Sequence, residues 1–192
     1  VQGYLEESGQ VAHGPDLGLI PSGTGGDFRR TFGLGDTVEE AAERVLEASP
    51  RPIDLGLLSV TSHEGQLVRR AFINITSFGM GGLTDRIVNS SPKWMGGKAA
   101  FLLGTLRAML VYKNAPVRVK VDGKVCLEAP IFNVALANGR YFGGGMMIAP
   151  EADPADGLLD VVSLHDMTKL QSAALSQHIY KGSHIGRVGV SV

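Results

Sequence analysis

At 192 residues, with 44% apolar residues and 26 glycines, the chain has material for one ordinary domain or parts of two, with a real core and many turns. A net charge of −1 excludes a molecule that binds nucleic acid through overall basicity. Cys126 is the only cysteine, so no disulfide forms within the chain; this fits a reducing, cytoplasmic compartment, in which the sequons at Asn74 and Asn89 are chance matches.

The chain opens on Val1 to Ser8, which read as mid-helix without a start methionine, and closes on residues 188–192, which read as the start of a strand. We therefore expect a segment of a longer protein. Leu17 to Ile20 read as a buried parallel strand. Pro21 and a glycine turn, Gly23-Thr24-Gly25-Gly26, follow, and Asp27 to Phe32 read as a short helix stopped by Gly33. A strand, a glycine turn and a helix start can cradle a phosphate, because bare N–H groups point at the anion and glycine lets it approach. The same pattern also serves as a plain tight connection. Three named motifs fail here. A Walker loop needs Lys where Thr24 stands, a dinucleotide fingerprint needs Gly where Phe28 stands, and a nucleophile elbow around Ser22 needs Gly where Ile20 stands.

Asp36 to Ala48 form the clearest helix. Thr37 and Glu40 have capping-box spacing, and Val38, Ala41, Ala42, Val45 and Leu46 make one apolar stripe. Pro50 and Pro52 break this pattern, and from Arg51 the chain turns largely to strands. These are Ile53 to Val60, Leu67 to Ile75, Val117 to Val121, Ala129 to Ala137 and Leu158 to Leu164. Helices interrupt near Gly82 to Asn89, Lys98 to Lys113 and Lys169 to Tyr180. The apolar run Ala99 to Tyr112 falls short of the about 20 residues that span a bilayer. It reads first as a core helix, and otherwise as the wall of a greasy cleft or a membrane-touching helix. From Arg86 to Lys124 there are eight Lys or Arg residues and one acid, Asp122, so this segment is +7 and the remainder −8. Such a segment suits an anionic lipid surface, or is a solvated face with no partner.

Residues 137–160 hold a second constellation, ANGRYFGGGMMIAPEADPADGLLD. Gly143-Gly144-Gly145 can bring backbone close to a ligand or a strand. In the turn from Pro150 to Gly157, Asp153 and Asp156 can both point inward and a carbonyl beyond Gly157 can join them. That is hard-oxygen chemistry suited to Mg²⁺ or Ca²⁺, although a capped β-turn has the same composition.

Together the two stretches resemble the diacylglycerol-kinase catalytic family, which includes bacterial lipid kinases and the eukaryotic diacylglycerol, sphingosine and ceramide kinases. IPSGTGGDFRRTFGL is similar to its P-x-G-T-x-N-D-F-A segment. NGRYFGGGMMIAPEADPADGLLDVV is similar to its N-G-x-x-x-G-G-G…P-x-A-x-x-x-D-G-x-L-D segment. Asp54 and the segment Phe72 to Gly82 fall in the family's order.

The resemblance implies an α/β nucleotide-binding domain related to NAD kinases and phosphofructokinases, present here in part as residues 1–50. A β-sandwich domain with helical insertions follows at 51–192, and ATP sits in the cleft. It implies a kinase that transfers the γ-phosphate of ATP to a lipid hydroxyl, with diacylglycerol the first choice and a sphingoid or other lipid alcohol the alternative. An NAD-kinase-like enzyme and a non-catalytic relative compete with this reading. The motif from Gly143 to Asp160 speaks against the former.

By position, the turn Gly23-Thr24-Gly25-Gly26 would contact the nucleotide, with Thr24 the side-chain contact. Asp27 and Asp54 would join an aspartate–water–Mg²⁺ network. Asp153, Asp156 and the carbonyl of Leu158 would bind a structural or regulatory Mg²⁺. The family's main phosphate loop would precede Val1, and its acidic general base would lie beyond Val192. Partners would be a membrane lipid substrate and a peripheral anionic membrane surface, with no nucleic acid. Gly26 departs from the pattern, where many members have Asn. Asp27 itself argues for metal–nucleotide, since a carboxylate repels bare phosphates and becomes an asset only with a cation between them.

Overall fold

The computed structural model describes residues 16–22, 25–90 and 97–192. The expected helix Val1 to Ser8 and the turn residues Gly23 and Thr24 lie outside the described residues. Two compact units are present. The first comprises residues 1–76, 137–145 and 149–160, and the second 77–136, 146–148 and 161–192.

In the first unit, residues 16–20 do not form the expected strand. Leu17 and Ile20 are 47% and 56% exposed, and no described strand pairs with them. An apolar run becomes a strand only where a neighbour completes its ladder. Helix α1 (Asp27–Thr31) follows as expected and ends at Phe32 and Gly33, whose φ of +64° is a glycine conformation. Phe28 is buried and packs edge-on to Phe32, with ring centroids 5.0 Å apart. In α2 (Val38–Glu47) the Thr37 side chain accepts from the Glu40 N–H at 3.3 Å, which is half of the expected box. The apolar stripe is not buried as a core stripe would be. Ala41 is enclosed, but Val38 and Val45 are half-exposed and Leu46 is 86% exposed. Strands β1 (Gly56–Thr61) and β2 (Leu67–Phe72) form an antiparallel hairpin from Gly56 opposite Phe72 to Thr61 opposite Leu67. Its turn is held by Ser62, whose hydroxyl accepts from the Glu64 and Gln66 amides.

The expected strand Leu67 to Ile75 is thus two elements, β2 and then β3 (Ile75–Gly79). The second unit centres on a five-stranded sheet that joins β3 to β4 (Ala115–Val121), β5 (Lys124–Ala137), β8 (Asp160–His165) and β9 (Val190–Ser191), in the order β3-β5-β8-β9 with β4 also paired to β5. Two short strands, β6 (Tyr141–Phe142) and β7 (Met146–Met147), lie between β5 and β8 in sequence. Residues Ile131 to Ala135 of β5 and Val162 to Leu164 of β8 are buried without alternation, because both faces of these strands are covered.

Three helices accompany the sheet: α3 (Met80–Asn89), α4 (Gly97–Val111) and α5 (Lys169–Tyr180). Gly79, with φ of +110° and no room for a Cβ beside the Phe132 carbonyl, turns β3 directly into α3. The start of α3 is capped from the neighbouring strand, where the Asn133 Oδ1 accepts from the Gly81 N–H at 3.1 Å. Helix α5 carries a complete capping box between Thr168 and Gln171. Among the described residues no helix is long and apolar enough to cross a membrane.

His184 is fully buried in the second unit, with its Nε2 2.9 Å from the Ile148 carbonyl. Burial holds its pKa below the ordinary histidine value, against the opposing pull of the Ile148 and His178 carbonyls. Its Nδ1 makes no hydrogen bond of normal geometry. The unfolded chain therefore binds this proton more readily than the folded one. Its contribution to stability is present above the ordinary histidine pKa of about 6.5 and is lost as pH falls through the folded value. We expect denaturant midpoints to drop as the pH is lowered from 7 towards 5. The drop should be shallower in His184→Gln, whatever that variant's own baseline stability.

Candidate functional site

The two motif stretches meet within the first unit, and Asn138-Gly139-Arg140 is their junction. The Asn138 Nδ2 donates to two carbonyls, Asp54 at 2.9 Å and Ile73 at 2.8 Å. The amides of Asn138 and Gly139 both donate to the Asn74 carbonyl. The Arg140 N–H donates to the Thr31 hydroxyl of α1 at 3.0 Å, and its Nε donates to the Ala152 carbonyl at 2.9 Å. Gly139 allows this convergence. A Cβ there would lie 2.4 Å from the Asn74 Oδ1, 3.0 Å from the Thr31 Oγ1 and 3.2 Å from the Phe28 ring. The Asn74 Nδ2 in turn donates to the Tyr141 carbonyl.

Both expected aspartates attach to this frame, each through a different glycine amide. Asp27, 9% exposed at the start of α1, accepts from the Gly144 N–H at 2.7 Å and pairs with the Arg30 Nε at 3.5 Å. Asp54 accepts from the Gly157 N–H at 2.7 Å, while its own N–H donates to the Pro154 carbonyl. Gly143, Gly144, Gly145 and Gly157 all have φ between +60° and +107°, which sets their amides at angles other residues rarely adopt. Asp54 therefore belongs to the acidic loop, and Asp27 to the glycine-triplet turn.

In that acidic loop Asp153 and Asp156 are exposed. Asp153 Oδ1 accepts from the Ala155 N–H at 3.1 Å, and Asp156 Oδ1 from the Leu158 N–H at 2.9 Å. Each keeps its second oxygen. Among the described residues no three acidic, His or Cys side chains gather to hold a metal, so the expected set is two carboxylates and the Leu158 carbonyl. Its chemistry fits a hard cation. Asp160 nearby has its pKa raised, first by burial and then by the charges of Asp156 and Glu151, so the loop carries a negative potential.

Of the glycine turn, Gly25 and Gly26 are described. They line a depression of about 270 Å³ with Ser22, Phe28, Arg29 and Arg44. The departure at Gly26 has a physical reason here, because a Cβ at this position would lie 2.9 Å from the Arg29 Nε. Arg29 reaches on to the Leu34 carbonyl at 3.0 Å and to Asp36 at 3.4 Å. A second depression, of about 280 Å³, is lined by Thr31, Arg51, Arg140 and Asp153. The Arg51 guanidinium there sits 4.7 Å from the Phe32 ring centroid.

Asn74, Asn138, Arg140 and the glycines 139, 144 and 157 organise the site. Sequence reasoning gave the glycine triplet a close-approach role and placed Asn138, Gly139 and Gly157 only as motif positions, while Asn74 and Arg140 were assigned nothing.

Two outcomes follow. Asn138→Ala removes both donors from two part-buried carbonyls and should lower the unfolding free energy by about 1–3 kcal/mol in urea titration. Gly26→Asn pushes the flexible Arg29 side chain off the Leu34 carbonyl and Asp36 and should destabilise by about 0.5–1.5 kcal/mol, and Gly26→Asn with Arg29→Ala should lose less than the sum of the two single losses. Strict additivity of the two losses would remove this coupling.

Two family models match. The diacylglycerol kinase catalytic domain matches residues 1–58, and the YegS C-terminal NAD kinase β-sandwich-like domain matches residues 74–192. A "Diacylglycerol kinase" of Mycobacterium tuberculosis (strain H37Rv) is 30% identical over 186 residues, covering 95% of this chain and 59% of the relative. A Chromohalobacter salexigens protein named "Probable lipid kinase YegS-like" is 35% identical over 162 residues, or 82% of this chain and 47% of that one. A solved structure from Bacillus anthracis (strain Sterne), provisionally assigned as a diacylglycerol kinase, superposes with a TM-score of 0.64 at 25% identity, over 92% of this chain and 55% of that chain. The chain thus spans between 47% and 59% of these relatives' lengths. The match over residues 74–192 alone covers more than half of the sequence, and the chain belongs to the family of diacylglycerol kinases and YegS-like lipid kinases.

Proposed function

We propose that this chain is part of an ATP-dependent lipid kinase, cytoplasmic and peripheral to the membrane, that phosphorylates a lipid hydroxyl. Diacylglycerol, giving phosphatidic acid, is the first choice of acceptor. The observation that supports this reading best is the bond from Asp27 to the Gly144 amide, which joins the family's two signature segments across 117 residues of sequence.

Phosphoryl transfer asks a protein mainly for positioning and charge neutralisation. The depression beside Gly25 and Gly26 offers close backbone approach and two guanidiniums, Arg29 and Arg44, to the nucleotide's phosphates. Asp27 already balances part of its charge on Arg30 and a backbone amide, so its position is fixed before nucleotide arrives. A bound Mg²⁺ would supply the remaining neutralisation at the phosphate oxygens. Asp27 and Asp54 each have carboxylate lone pairs left for that ion or its waters. Asp153, Asp156 and the Leu158 carbonyl would hold a second, structural Mg²⁺ on the acidic loop.

The test is transfer of label from γ-labelled ATP to a total lipid extract, dispersed in detergent with Mg²⁺, by the full-length protein. Mass spectrometry of the product then identifies the acceptor. A labelled phosphatidic acid is the expected product. Label found in NADP rather than lipid, or in no product at all, overturns the reading.

A further inference from the structure

The depression of about 280 Å³ beside Arg51 takes no part in the proposed nucleotide site. Every residue that lines it lies in the first unit. It opens at the C-terminal end of α1, beside Thr31 and Phe32, and shares no lining residue with the depression at Gly25 and Gly26. Two guanidinium side chains line it, and each is held by a different contact. The Arg51 guanidinium lies over the Phe32 ring, 4.7 Å from the centroid, which uses its face and leaves its N–H edge. The Arg140 Nε donates to the Ala152 carbonyl, which leaves both Nη groups. Among the described residues neither arginine forms an ion pair with a carboxylate. Thr31 adds a third donor. Its hydroxyl oxygen accepts from the Arg140 N–H at 3.0 Å, and its own hydrogen is committed to no acceptor among the described residues.

Two like charges at one depression repel, and an anion between them turns that repulsion into attraction. Each arginine presents a planar fork that matches the oxygens of a phosphate, and the hydroxyl can serve a further oxygen. The volume is near the small end for organic ligands, about 300 Å³, so it has room for a phosphate and a small group attached to it. Pro52, Ile53 and Pro154 wall the remainder. Asp153, exposed at the same depression, opposes an anion and so limits how tightly one is held. We propose that Arg51, Arg140 and Thr31 form a second phosphate site, which takes a phosphate group that is free or carried by a small soluble monoester. The same Arg140 ties α1 to the acidic loop through Thr31 and Ala152. An occupant therefore acts on that junction and not on a transferred phosphate. The site needs neither ATP nor a lipid, and its failure leaves the kinase reading untouched.

The experiment is calorimetric titration of the full-length protein with inorganic phosphate and, separately, with glycerol 3-phosphate, in EDTA and without nucleotide. Saturable binding of at least one of them, with a dissociation constant on the order of 0.1–1 mM, is expected. Arg51→Gln should weaken it about tenfold, because a charge-assisted contact is lost. Arg51→Lys should recover only part of that loss, because an ammonium has no fork. Asp153→Asn keeps an oxygen for the Ala155 amide and should tighten binding about two- to fivefold. Arg44→Gln, at the other depression, should leave the affinity unchanged. Tighter binding of glycerol 3-phosphate identifies a monoester as the occupant, and tighter binding of inorganic phosphate identifies the free ion. No saturation by either at about 10 mM overturns the proposal. So does an unchanged affinity in Arg51→Gln, or a loss confined to Arg44→Gln, which would assign the anion to the nucleotide's depression.

Discussion

One side-chain amide fixes the first unit. Both hydrogens of the Asn138 Nδ2 are used on backbone carbonyls, Asp54 and Ile73, that are 84 and 65 residues away in sequence. Neither carbonyl sits in a regular ladder, so without Asn138 each would be a part-buried acceptor that has lost its protein donor. The residue on its C-terminal side completes the constraint from the steric direction. Gly139 has no Cβ, and the space a Cβ would take is filled by Asn74, Thr31 and Phe28. An amide that must donate twice and a backbone that must come close select Asn-Gly jointly. Neither requirement resembles the hairpin turn that this dipeptide usually signals.

The acidic residues depend on the same frame. Asp27 and Asp54 each grip a glycine amide at 2.7 Å, a charge-assisted bond stronger than its neutral counterpart. The glycines at 144 and 157 have positive φ and so aim their amides where no other residue would without strain. A carboxylate fixed in this way loses little further freedom on meeting a ligand. Preorganisation of this kind gives positioning catalysis its advantage. The bond that holds each loop therefore also orients the carboxylate's free lone pairs.

Where patterns were local, they were legible. Helix α5 has the bounds read from the sequence, Lys169 to Tyr180, and α1, β4 and β8 lie within a few residues of expectation. The family was legible from the resemblance of two stretches to its motifs. What was not legible depended on partners distant in sequence. Leu17 to Ile20 has strand composition but no described ladder partner, and the apolar stripe of α2 has little over it but the enclosed Ala41. Asp54 could be ranked as a site residue, yet its attachment to Gly157, 103 residues on, has no sequence signal. Gly26 departs from the motif, and the sequence carries no sign of its surroundings, in which a Cβ would meet the Arg29 Nε of a guanidinium tied to Leu34 and Asp36.

Helix α4 carries the limit of periodicity furthest. Its residues are apolar on both sides, so no pattern says which side faces in. Burying the leucines would remove more apolar area from water, at about 25 cal/mol per Å². The protein buries alanine and glycine instead, because only small side chains let α4 close on α3 at Val88. Packing distance, not hydrophobicity, decides the orientation.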